Sequence, residues 1–183
     1  MSGIVRTRVG YCGGTRENPT YRSLGDHSET LQMDFDPERL SYGDLLEAFW
    51  ESHSPEYRSW SRQYASFIFF HGEEQREAAL ESKSREEARL KKRVYTEIVP
   101  YPVFYLAEDY HQKYYMRHYP ELMSDFSRMY PDTREFIKST AAARVNGYAA
   151  GCGNLARLKS ELGSFGLTPE GNKRLMDIVM SRR

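Results

Sequence analysis

Gly3-Ile4-Val5-Arg6-Thr7-Arg8-Val9-Gly10-Tyr11-Cys12-Gly13-Gly14-Thr15 lies near the N-terminus, and Asn18-Pro19-Thr20-Tyr21 and Gly25-Asp26-His27-Ser28-Glu29 follow it closely. Its first part, Gly3 to Tyr11, reads as a strand: Ile4, Val5, Val9 and Tyr11 are β-type residues with Arg6 and Arg8 interleaved. Gly13-Gly14 and Asn18-Pro19 punctuate turns and exclude a helix there. A phenol and a carboxylic acid on neighbouring loops can together hold and protonate a polar oxygen.

Working outward, Ser28 to Phe35 alternates Leu31, Met33 and Phe35 against Thr30, Gln32 and Asp34, the period of a half-buried strand. Asp36-Pro37 ends it. Ser41 opens a helix with Asp44 in capping-box position, and Leu45, Leu46, Phe49 and Trp50 share the face that packs on a sheet. Tyr64 to Phe70 reads as an aromatic strand. His71 to Lys92 reads as a long charged helix with a solvated face. Val94 to Val99 is a further strand stopped by Pro100, and Ala107 to His118 a short aromatic helix. Beyond Pro120 no period-two run occurs. Asp132 with Glu135 caps one helix, Asn154 to Leu162 forms another closed by Gly163, and Thr168-Pro169-Glu170 starts a third. Asn146 to Gly153 reads as a flexible, glycine-bracketed loop. Strands first, with helices between and after, define an α+β or split α/β sandwich.

The bulk properties narrow the function. The 183 residues carry 26 acidic and 26 basic side chains, so no charge excess points to nucleic acid or an anionic membrane. No apolar run approaches membrane-spanning length. The 14 tyrosines supply large buriable rings. Only two cysteines occur, Cys12 and Cys152; that is no disulfide framework and fits a reducing, cytoplasmic setting. No Cys/His spacing suggests zinc. Glu108, Asp109 and His111 do not share one helix face, so they read as hydrogen-bonding residues.

Several motifs, in order, resemble the peptide methionine sulfoxide reductase A family. They are Gly3-Ile4-Val5 through Gly14, Asn18-Pro19-Thr20-Tyr21, His27-Ser28-Glu29, the helix ending Phe49-Trp50-Glu51-Ser52-His53, Arg62-Gln63-Tyr64-Ala65-Ser66, and Ala107-Glu108-Asp109-Tyr110-His111-Gln112. The resemblance implies a two-layer sandwich with a mixed sheet and a ferredoxin-like core over residues 1–119, with residues 120–183 a helical extension. It also implies a chemistry. A cysteine thiolate attacks the sulfur of methionine S-sulfoxide, an acid protonates the departing oxygen, and the resulting sulfenic acid is resolved by a second thiol and reduced by thioredoxin or another dithiol. By position the acid falls on Glu29 and the oxygen-holding phenols on Tyr21 and Tyr64. Such an acid needs burial to stay protonated, which neighbouring Phe and Trp side chains supply in the family. The implied substrates are oxidised methionine-containing proteins. No bound cofactor or metal is implied, and a monomer is expected.

The sequence departs from the family in places. It has no Gly-Cys-Phe-Trp, the motif that carries the nucleophile, and the first strand and nucleophile helix that bear it are missing. The segment Pro55 to Arg62 lacks the family's Gly-Asn-Asp-His-Gly loop. The expectation is that an upstream reading frame encodes the nucleophile and that residues 1–183 alone lack turnover. The alternatives are a non-catalytic relative that binds methionine sulfoxide or a partner, and a poorly folding product with an exposed sheet edge. Cys12 reads first as a small buried residue. Cys152 is a candidate resolving thiol, against a plain exposed thiol, and His27 reads as structural.

Overall fold

A computed structural model describes residues 1–181. The strands are β1 (Ile4–Cys12), β2 (Ser28–Phe35), β3 (Phe67–Phe70), β4 (Glu97–Pro100) and β5 (Tyr105–Leu106). The helices are α1 (Tyr42–Glu51), α2 (Glu73–Leu90), α3 (Pro120–Met129), α4 (Thr133–Lys138), α5 (Thr140–Ala149), α6 (Leu155–Glu161) and α7 (Pro169–Ser181). The class is mixed α+β. Hydrogen bonding groups the strands into a three-stranded sheet of order β2-β1-β5 and a two-stranded sheet of β3 with β4.

The chain divides into two compact units. One comprises residues 1–9, 31–36 and 108 onward; the other comprises 10–30 and 37–107. In the first unit, Arg6 and Arg8 of β1 both reach Asp34 of β2, at 2.8 and 2.7 Å. Its core is built on Met116, Leu122, Phe126, Val145, Leu158 and Leu175, all fully buried. Full burial of each large side chain contributes about 2 kcal/mol or more.

In the second unit, the Ser41 side chain accepts the Asp44 N–H at 3.1 Å, and the Asp44 carboxylate accepts the Ser41 N–H at 2.8 Å. This reciprocal cap satisfies two otherwise unpaired donors and starts α1 where the sequence indicates. Leu46 and Trp50 of α1 then bury against Ile68, Ala79 and Val94. The indole N–H of Trp50 donates to Ser82 of α2 at 3.1 Å. Strands β3 and β4 run parallel, pairing Phe67 with Glu97 through Phe70 with Pro100. A parallel pair needs a crossover, and α2 is that crossover.

Four expectations are corrected. Tyr64 is not in a strand: Arg62–Tyr64 is a 3₁₀ turn capped by the Ser61 hydroxyl, and the strand begins at Phe67. Helix α2 is more than a solvated face, because Ala79, Ser82 and Glu86 form a buried stripe. Residues 107–118 form no continuous helix but two 3₁₀ turns, Asp109–His111 and Met116–His118, with Lys113 between them at φ +53°. The cause is polar anchoring of this segment on β1. The Gln112 amide donates to the Val9 carbonyl at 2.8 Å and accepts the Val9 N–H at 3.1 Å. Lys113 donates to the Thr7 carbonyl at 2.5 Å and to the Ile137 carbonyl at 3.0 Å. Finally, Asn146 to Ala149 belong to α5, where Tyr148 is buried and its hydroxyl donates to Glu161 at 3.0 Å.

Candidate functional site

The residues singled out as Tyr21, Glu29 and Tyr64 all fall in the second unit. Asn18 adopts a left-handed conformation at φ +48°, which asparagine tolerates better than most side chains. Thr20 and Ser23 then bridge, with the Ser23 N–H donating to the Thr20 carbonyl at 2.9 Å. Tyr21 and Arg22 form the tip of that tight turn, and Tyr21 is 46% exposed.

The next layer fixes the approach to Glu29. Thr15 donates its N–H to the Asp26 carboxylate at 2.8 Å. That bond from the Thr15 backbone, which favours the ionised form, holds the Asp26 carboxyl below the usual carboxylate range. His27 is buried, and its Nδ1 lies 3.1 Å from the Gly14 N–H while Nε2 lies 2.8 Å from the Arg16 carbonyl. A backbone N–H can only donate and a carbonyl only accept, so the ring is the neutral Nε2–H tautomer. His27 is structural, as its local partners suggested. The fit explains Gly14: a Cβ there would stand 2.6 Å from the His27 ring.

Glu29 and Tyr64 are then tied to one another's segments. The Ser28 hydroxyl donates to the Arg62 carbonyl at 2.5 Å. Arg62 donates to the Asp26 carbonyl at 3.1 Å and the Gly13 carbonyl at 3.3 Å, with its guanidinium 4.8 Å from the Phe67 ring centre. Gln63 donates to Glu29 Oε1 at 2.8 Å. The turn Arg62-Gln63-Tyr64 is therefore a clasp. One residue binds two backbone carbonyls and the Ser28 hydroxyl, the next holds the carboxylate, and the third presents a phenol that is 52% exposed. The sequence reading gave Arg62 and Gln63 no role. The signal was their position immediately before Tyr64, but nothing local says which carboxylate a glutamine will meet.

Glu29 itself is exposed. The burial that the resemblance implies for an acid at this position is not found there among the described residues. The two thiols differ sharply. Cys12 is fully buried and donates to the Val103 carbonyl at 3.5 Å, and burial pushes its thiol up to about 11. At neutral pH only about one part in ten thousand is thiolate, the form that reacts. Cys152 is exposed in the first unit, between Gly151 and Gly153, both with positive φ. A chromogenic disulfide reagent is expected to titrate one thiol per native chain within minutes, lost in Cys152→Ser, and the second only in denaturant. Rapid modification of both would contradict the burial of Cys12.

Among the described residues no group of three His, Cys, Asp or Glu side chains could hold a metal ion. No helix among them is long and apolar enough to cross a membrane.

This α+β framework matches one enzyme class, the reductases of methionine sulfoxide. The fold matches reduced Mxr1 of Saccharomyces cerevisiae with a TM-score of 0.59 and 26% identity, over 64% of this chain and 73% of that one. It matches methionine sulfoxide reductase A of Corynebacterium diphtheriae with a TM-score of 0.56 and 30% identity, over 64% and 65%. The Drosophila melanogaster peptide methionine sulfoxide reductase is 43% identical over 171 residues, 91% of this chain and 68% of that protein. Peptide methionine sulfoxide reductase A5 of Oryza sativa subsp. japonica is 39% identical over 156 residues, 82% of this chain and 61% of that protein. The profile described as peptide methionine sulfoxide reductase matches residues 1–144. The chain belongs to the peptide methionine sulfoxide reductase family.

Proposed function

We propose that this chain carries the oxygen-handling part of a peptide-methionine (S)-S-oxide reductase. The observation that carries this reading is the clasp: Gln63 fixes one oxygen of Glu29 while the same turn presents Tyr64. Tyr21 and Tyr64 donate their hydroxyl protons to the sulfoxide oxygen, and Glu29 is the acid that protonates it. A cysteine thiolate attacks the sulfur of the protonated sulfoxide to form an S–S bond, and the hydroxyl then moves to the cysteine sulfur as that S–S bond and the methionine S–O bond break. The products are a thioether and a sulfenic acid, so the oxygen passes from methionine to cysteine. A second thiol condenses with the sulfenic acid, releasing water and leaving a disulfide, which a dithiol then reduces.

The burial of Cys12 argues that it is not the attacking thiol. Residues 1–183 contain no Gly-Cys-Phe-Trp, so the thiolate is proposed to come from outside them. Turnover by these residues alone is then proposed to be absent. Cys152, exposed between two glycines, is the candidate resolving thiol. Thioredoxin or a comparable dithiol is the proposed reductant, oxidised methionine-containing proteins the substrates, and the cytoplasm the setting for a monomeric protein.

The test is nuclear magnetic resonance of the chain with tyrosine rings labelled. A peptide bearing methionine S-sulfoxide is expected to shift the Tyr21 and Tyr64 signals, and the corresponding thioether peptide is not. The double variant Tyr21→Phe with Tyr64→Phe loses two neutral hydrogen bonds and is expected to weaken binding by roughly tenfold or more. Identical shifts with thioether and sulfoxide would sink this assignment.

A further inference from the structure

We propose that His53 is a positioning residue for the sulfoxide site: through the Ser66 hydroxyl it fixes the trailing end of the turn that presents Tyr64. This inference rests on the oxygen-handling role proposed above. The Tyr64 ring is exposed, so packing restrains it little and the backbone around it sets where the hydroxyl points. Arg62 and the Ser61 cap hold the leading end of that turn. The trailing end runs through Ala65, extended at φ −70° and ψ 145°, to Ser66. The Ser66 carbonyl accepts the Glu97 N–H at 3.0 Å, and its hydroxyl lies 2.8 Å from His53 Nε2.

The direction of the hydrogen bonds makes the link specific. His53 stands just past the end of α1, and its Nδ1 lies 2.9 Å from the Phe49 carbonyl. A carbonyl only accepts, so Nδ1 carries the proton and, in the neutral ring, Nε2 accepts. The Ser52 hydroxyl donates to the same carbonyl at 2.7 Å, so its proton is not offered to Nδ1. The Ser66 proton is therefore committed to His53. The Ser66 oxygen accepts in turn from the hydroxyl of fully buried Thr96, at 3.2 Å. The result is one directed chain, Thr96 to Ser66 to His53 to Phe49, in which each proton has one place. Such chains strengthen their members away from water. Rings hold the imidazole as well, Phe49 edge-on at 4.7 Å and Trp50 nearly parallel at 6.3 Å. Trp50 is anchored to α2 through Ser82. The packing of α1 on α2 thus reaches a hydroxyl two residues from Tyr64. A donor that must meet one small oxygen needs placement to within about 0.5 Å, which support of this kind supplies.

The experiment repeats the tyrosine-ring resonance titration on the full chain with the methionine S-sulfoxide peptide. The variants are Ser66→Ala, His53→Leu, the two combined, and His53→Gln. The wild type is expected to respond at both Tyr21 and Tyr64. Ser66→Ala and His53→Leu are each expected to lose most of the Tyr64 response, keep that of Tyr21 and bind roughly fivefold more weakly, as loss of one neutral hydrogen bond would. The combined variant is expected to bind no more weakly than either single one, because both cut the same link. His53→Gln offers Ser66 an acceptor again and is expected to recover most of the Tyr64 response. Ser66→Ala removes a single oxygen, so it decides the matter if His53→Leu melts below the titration temperature. A Tyr64 response that Ser66→Ala leaves intact, or equal loss at Tyr21 and Tyr64 in a folded variant, would overturn this inference and spare the oxygen-handling role. No response of either tyrosine in the wild type would overturn both.

Discussion

Gly10→Ala is expected to destabilise the protein by about 3 kcal/mol, as steric overpacking against backbone does. Gly10 pairs with Leu106, and Tyr11 with Tyr105, at the contact of β1 and β5. A Cβ at Gly10 would stand 2.3 Å from the Tyr105 carbonyl oxygen and 2.4 Å from the Phe104 ring. The ring can swing away, but the carbonyl is held by the strand pairing and cannot. The pair must open, and Tyr11 and Cys12, which follow on the same strand, lose their burial. Gly147→Ala is the control. It lies inside α5 with open space around its missing Cβ, so alanine there is expected to stabilise by up to about 1 kcal/mol through helix propensity. Urea unfolding followed by circular dichroism measures both. A Gly10→Ala loss no greater than that of an ordinary surface change would contradict the packing described.

The second large effect is on pH dependence. Lys113 is buried, and burial followed by the nearby charge of Arg8 lowers its pKa from 10.5 to about 8. The unfolded chain therefore holds a proton that the folded chain has lost between pH 8 and 10.5. Stability contributed through Lys113 rises with pH across that window and is flat below it. The full span corresponds to roughly 3 kcal/mol. Cys12, whose thiol burial pushes up to about 11, contributes near the same range, so the quantity to measure is the difference between wild type and Lys113→Met. The wild-type stability is expected to climb relative to the variant from pH 8 upward. Parallel profiles would show that Lys113 keeps its ordinary proton affinity in the folded chain.

Local chemistry made much of the fold readable. Ser41 with Asp44 marked the start of α1, the alternation from Ser28 to Phe35 matched β2, and Thr168-Pro169 marked α7. The failures share a cause. Residues 107–118 carry helix-compatible side chains, but Gln112 and Lys113 bond to β1, over a hundred positions away in sequence. Asn146 to Ala149 looked like a loop because Gly147 and Gly151 flank a small-residue run. The buried contacts of Val145, Tyr148 and Ala149 make it helix. The site divides similarly. Tyr21, Glu29 and Tyr64 came from motif resemblance. The Gln63 bond to Glu29 spans 34 positions and depends on how two segments meet. The alternation of β2 said which residues share a face but not whether anything covers Glu29.

The measurement that tests the account most directly is calorimetric titration of this chain with three matched peptides, bearing methionine S-sulfoxide, methionine R-sulfoxide or unoxidised methionine, beside Glu29→Ala. Binding of the S-sulfoxide peptide well above the other two, with that preference lost in Glu29→Ala, is the result the oxygen-handling role predicts. Equal binding of all three, or an S-preference that survives Glu29→Ala, would contradict it.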